Sequence, residues 1–101
     1  AVIGPVSQMQ MRNYRFSKAF LGINGIDKQY GFTTPDTEEA AIKRIAIENA
    51  AQSYVVADAS KFKQVSFVKV CDIEDCGIIS HNVPSEIKRN LKDSTTIWEA
   101  E

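Results

Sequence analysis

The chain has 101 residues, 44% hydrophobic and 25% charged, with 12 Lys plus Arg against 13 Asp plus Glu. This fits one compact domain with a modest core, and leaves little room for a second. The near-zero balance argues against direct nucleic-acid contact by these residues. No apolar run reaches the roughly 20 residues of a membrane span, and no signal peptide opens the chain.

Taken in order, Gly4-Pro5 and "VSQMQMRNY" predict a short helix with Val6, Met9 and Met11 or Tyr14 facing inward. "KAFLGI" (18–23) reads as a buried strand, followed by a loop punctuated by Gly22, Gly25 and Gly31. A helix is expected from near Thr34 to about Gln52, with Pro35 in its first turn and Asp36, Glu38 and Glu39 at the positive end of its dipole. Its inward stripe is Ile42, Ile45, Ala46 and Asn49 or Ala50.

"SYVVAD" (53–58) is a continuous apolar run, as in a strand covered on both faces. "VSFVKVC" (65–71) predicts a third strand and "GIISH" (77–81) a very short fourth. A helix starts at Pro84, with Ile87 and Leu91 one turn apart, and "TTIWEA" closes the chain as a strand. This order predicts an α/β fold with a mostly parallel sheet and crossover helices, the first passing right-handed between the first two strands.

In such sheets ligands collect beyond the carboxyl ends of the strands. "GINGID" (22–27) and "DASKF" (58–62) both fall there. The first has the wrong glycine spacing for a dinucleotide or P-loop motif. It reads either as a plain turn or as a place where Asn24 and Asp27 meet sugar hydroxyls, with the Gly25 backbone in close approach. "TTPDTEE" opens a helix, yet its three carboxylates repel an anion, so Thr33 and Thr34 read as capping first and ligand-facing second. In "DASKF", Lys61 is either a solvated turn lysine or the charge partner of a phosphate or enediolate-like oxygen, beside Asp58 and Ser60. Lys43 and Arg44 read as the solvated face of their helix.

Cys71 and Cys76 read as free thiols of a reducing cytoplasm. With His81 alone nearby they fall short of a structural zinc site, and no metal is expected. His81 lacks a paired nucleophile and makes a poor catalytic candidate. Trp98 reads as core or interface packing.

From about residue 17 to 80 the sequence resembles the effector-binding region of the DeoR family of bacterial transcription regulators. The motifs are the Gly-x-Asn-Gly-Ile-Asp loop (Gly22, Asn24, Gly25, Ile26, Asp27), Gly31 to Thr34, Ala40 or Ala41 with Lys43-Arg44, and Asp58 to Phe62. The resemblance implies a Rossmann-like fold shared with ribose-5-phosphate isomerase and CoA-transferase-like enzymes. It also implies a phosphorylated-sugar effector held by Gly22, Asn24, Gly25, Ile26, Asp27, Thr33, Thr34, Lys43, Asp58, Ser60 and Lys61.

The related isomerases carry Asp-Gly-Ala-Asp where this chain has Asn-Gly-Ile-Asp. An amide is no general base, which favours binding over turnover. By the same resemblance, residues 1–101 are expected to be the carboxyl-terminal part of an effector domain in a longer, homo-oligomeric cytoplasmic repressor. Operator DNA would be met only through a preceding helix-turn-helix domain, and no cofactor or membrane is involved. A sugar-phosphate isomerase and an oligomerisation module are the alternative readings.

Overall fold

The computed structural model describes residues 16–99; the helix expected near residues 6–14 lies outside them. Among the described residues, seven strands form two sheets around one helix-covered core. Strands β1 (Phe16–Gly22), β4 (Ala50–Val56), β6 (Gly77–Ser80) and β7 (Ile97–Glu99) make a fully parallel sheet in that order. Strands β2 (Gly25–Asp27), β3 (Gly31–Thr34) and β5 (Val68–Cys71) make a separate antiparallel sheet. Helix α1 (Thr37–Asn49) joins β3 to β4, and α2 (Ser85–Leu91) joins β6 to β7.

The expected α/β class with a parallel sheet is present, with two corrections. The glycine-rich connection is a β-hairpin, not a loop. The 65–71 strand, shorter than expected, belongs to this hairpin's sheet and not to the parallel one. Three residues of β2 carry too weak an alternation to stand out, and the pairing that makes them a strand comes from β3.

Helix α1 begins three residues later than expected because Asp36, not a threonine, caps it. The Asp36 Oδ1 accepts the Glu38 amide at 2.8 Å from an extended backbone. Pro35 therefore precedes the cap instead of occupying the first turn. The helix also stops at Asn49, and Ala50 already pairs with β1. Asp36→Ala is expected to cost about 1 kcal/mol, which lowers the melting temperature of a domain this size by roughly 4–8 °C. Thermal denaturation followed by circular dichroism checks this, and an unchanged midpoint would refute the cap.

The core lies between α1, the two sheets and α2. Ala40, Ile45 and Ala46 of α1 are buried, as are Phe32, Val55, Phe62, Ile73, Ile78 and Leu91. The sheet is not covered on both faces as "SYVVAD" led us to expect. Alternation along β4 sends Val55 into the core at 1% exposure, while its neighbour Val56 stands 48% exposed. On the same open face Phe20 stacks on Tyr54, its partner in register, and Tyr54 meets Trp98 edge-on, each pair 5.4 Å apart. Trp98 thus packs against neighbouring aromatics while remaining half exposed.

Candidate functional site

Parallel pairing aligns the carboxyl ends of β1, β4 and β6, with Gly22 level with Val56 and Val56 level with Ile79. The chain leaves all three strands at this edge, and the departing segments diverge around a crevice of about 400 Å³. Its walls are Gly22 and Ile23 at the end of β1, Val56 to Asp58 at the end of β4, Lys61, and Ile79 to His81 at the end of β6.

Short hydrogen bonds hold these ends together. The Ala57 amide donates to the Ile79 carbonyl at 3.1 Å, and the Ser80 hydroxyl donates to the Ala57 carbonyl at 2.6 Å. Beyond Asp58 the chain makes one 3-10 turn, Ala59–Lys61, closed by the Lys61 amide on the Asp58 carbonyl at 3.1 Å. Phe62, 5% exposed, anchors that turn in the core, and a bridge to Ile26 fixes it against the hairpin. Lys61 is therefore carried on a rigid backbone with its half-buried side chain at the crevice wall. Among the described residues it has no ion-pair partner. A Cβ added at Gly22 would meet no atom within 4 Å, so this wall is open.

Of the residues the sequence singled out, the crevice brings together Gly22, Asp58 and Lys61. Ser60 stands exposed on the turn between the last two. Asn24, Thr33 and Thr34 form a second group in and beside the hairpin. The Thr34 hydroxyl donates to Asn24 Oδ1 at 3.1 Å, with Glu39 Oε2 as a longer acceptor at 3.4 Å. Thr33 Oγ1 accepts the Ser66 amide at 2.8 Å. Neither threonine caps α1, which corrects the expected capping role. Both are buried ties between the hairpin and its neighbours.

Asp27 closes the hairpin turn, its Oδ2 accepting the Gln29 and Tyr30 amides at 2.9 Å each. Ile26 is core, and Lys43 lies half-buried on α1, outside the crevice lining. The close approach at Gly25 is internal, since a Cβ there would strike the Gln64 carbonyl and Thr33 Oγ1. Gly31 adopts φ +75°, the left-handed region.

Sequence reasoning missed Ile23, Ala57, Ser80 and His81 as crevice residues. The signal was available: "GIISH" ends at the same carboxyl edge as the strands that were used to place the site. Asn82, at φ +51°, turns the chain there, and its Nδ2 lies 3.0 Å from His81 Nε2.

A larger cavity of about 500 Å³ lies against α1, lined by Arg44, Ile47, Glu48, Lys69, Val70, Cys71, Asp72 and Asp75. Size does not make it the better anion site, because its cations are engaged. Arg44 Nη2 donates to the Lys69 carbonyl at 3.0 Å, and Lys69 pairs with Asp72, whose hydrogen bond raises the lysine pKa. In the carboxyl-end crevice, by contrast, Lys61 has no ion-pair partner among the described residues.

Residues 1–81 match the family described as DeoR C terminal sensor domain. The chain is 42% identical over 97 residues to an uncharacterized HTH-type transcriptional regulator, FruR, of Bacillus subtilis, covering 96% of this chain and 39% of that protein. It is 39% identical over 75 residues to the HTH-type transcriptional regulator GlpR of Haloferax volcanii, with 74% and 29% covered. It is 30% identical over 96 residues to the glycerol-3-phosphate regulon repressor of Haemophilus influenzae, with 94% and 38% covered. The chain thus spans less than two fifths of the length of each of these relatives.

Proposed function

The chain belongs to the DeoR C-terminal sensor domain family, and from that premise we propose that its crevice binds a phosphorylated sugar and so controls operator binding by a longer repressor of sugar metabolism. The observation that carries this reading is Lys61. It is a half-buried cation without an ion-pair partner among the described residues, on a rigid turn, at the shared carboxyl edge of three parallel strands. A phosphate or a sugar oxyanion satisfies that charge, and the exposed Asp58 carboxylate offers an acceptor for hydroxyls. The glycerol-3-phosphate in the name of the Haemophilus influenzae relative is likewise a small phosphate ester bearing hydroxyls. The effector acts by binding one regulator conformation better than the other and shifting their populations.

Binding is favoured over turnover. Position 24 is an amide, already hydrogen-bonded to Thr34, and the Asp27 carboxylate is held in the hairpin turn outside the crevice. Neither is placed as a base for proton abstraction from a crevice ligand. In this proposal residues 1–101 are the carboxyl-terminal part of the effector domain, and a separate helix-turn-helix domain meets DNA. Self-association is a second reading, favoured by the open aromatic strip Phe20–Tyr54–Trp98. No helix among the described residues is long and apolar enough to cross a membrane, and the regulator is proposed to work in the cytoplasm.

A thermal-shift panel tests the proposal on this chain and on the full-length regulator. It holds sugar phosphates, the same sugars unphosphorylated, and inorganic phosphate. At a ligand concentration 100 times its Kd, the stabilisation is about 2.7 kcal/mol, a readily measured rise in melting temperature. The expected result is selective stabilisation of the full-length protein by one sugar phosphate. No shift with any of them would defeat effector binding and leave self-association as the reading to pursue.

A further inference from the structure

Cys71 ends β5 and Cys76 immediately precedes β6, and the function proposed above uses neither. Their sulfurs lie 3.8 Å apart. The four residues between them form a fixed connector. Asp72 and Asp75 cap each other around a one-turn 3-10 helix, the Asp72 amide donating to Asp75 Oδ2 at 3.0 Å and the Asp75 amide to the Asp72 carbonyl at 3.0 Å. Ile73, 2% exposed, pins this connector in the core. The two thiols are therefore held side by side by the fold, not by chance side-chain excursions.

They differ in access. Cys71 is half-buried and lines the 500 Å³ cavity, whereas Cys76 is 3% exposed, is absent from that lining and borders a separate cavity with Asp75 and Gly77. We propose that this pair is a dithiol site that low-molecular-weight disulfides such as oxidised glutathione close to a Cys71–Cys76 disulfide. The Cys71 thiolate attacks one sulfur of the small disulfide, forming a mixed disulfide and releasing one small thiol. Cys76 gives up its proton, attacks the Cys71 sulfur across the short gap, and releases the second small thiol. Two protein thiols and one small disulfide become one protein disulfide and two small thiols, with no other oxidant needed.

Closing the bond brings the sulfurs to about 2.0 Å, within reach of side-chain rotation from adjacent positions. The product ties the antiparallel sheet directly to the parallel one. The hydrogen bond between the thiols lowers the pKa of Cys76 and raises that of Cys71, while burial and the nearby carboxylates further disfavour the Cys71 thiolate. The first exchange needs the Cys71 thiolate, so its rate is expected to rise with pH.

The test incubates this chain with oxidised glutathione and follows free thiols and intact mass. Loss of both thiols without added glutathione mass, and a Cys71–Cys76 linked peptide on non-reducing digestion, is the expected result. Cys76→Ala should instead accumulate one glutathione on Cys71, because the resolving thiol is gone. A stable glutathione adduct on the native chain, disulfide-linked dimers, or thiols that stay unreacted when folded but react in urea would each overturn the proposal. The measurement on the native chain decides even if the variant does not fold.

Discussion

Lys61→Ala in the full-length regulator is expected to weaken effector binding by about 10- to 150-fold, because a hydrogen bond to a charged group contributes about 1.5–3 kcal/mol. The operator complex should correspondingly need more effector before it responds. Calorimetric titration with the sugar phosphate identified by thermal shift measures the first, and the effector dependence of operator binding followed by fluorescence anisotropy the second. The fold should tolerate the change, since Lys61 makes no ion pair among the described residues and the turn is closed by its backbone. Lys61→Arg keeps the charge but changes its shape and reach, so it should retain part of the response. An alanine variant with native affinity would remove Lys61 from the site and leave the crevice without its anchor.

Gly31→Ala is expected to be the most damaging single change in the hairpin. Gly31 stands at φ +75°, and a Cβ there would run into the Cys71 carbonyl and come within 3.0 Å of the Asp72 Cα. The left-handed conformation costs an L-residue about 1–2 kcal/mol, and forced overpacking adds about 1–3 kcal/mol. Because the obstacle is backbone, no side chain can swing away to relieve it. The melting temperature should fall by more than about 10 °C, given roughly 4–8 °C per kcal/mol for a domain this size. Gly22→Ala is the matched control: the site is open, so its melting temperature should stay near that of the parent. Equal midpoints for the two variants would contradict the close approach of β3 to β5 at Gly31.

Strand β1 was legible as an apolar run, but the expectation that it is buried is corrected, since none of its residues 17–22 is buried and Phe20 stands on the open face. Strands β4 and β6 were legible because burial of Val55 and Ile78 leaves its pattern in the sequence. The helix around Ile45 and Ala46 was legible for the same reason. Its start was not, since "TTPDTEE" holds several residues able to cap, and only the backbone geometry selects Asp36 over Thr34. The three glycines signalled a demanding connection without saying what demanded it. Gly25 faces a carbonyl and a threonine hydroxyl of the protein itself, and Gly31 the carbonyl of Cys71, about forty positions further along.

By itself the sequence determined the α/β class, the parallel strands and the carboxyl edge at which Lys61 and Asp58 stand, because those follow from local periodicity and strand order. Its motifs also pointed to the family. Only the tertiary structure decided that β2, β3 and β5 form their own antiparallel sheet, that Thr33, Thr34 and Asp27 are engaged within it, and that His81 and Ser80 complete the crevice. Those assignments depend on hydrogen bonds between residues far apart in the chain. Local patterns of polarity do not encode which distant backbone a strand will pair with.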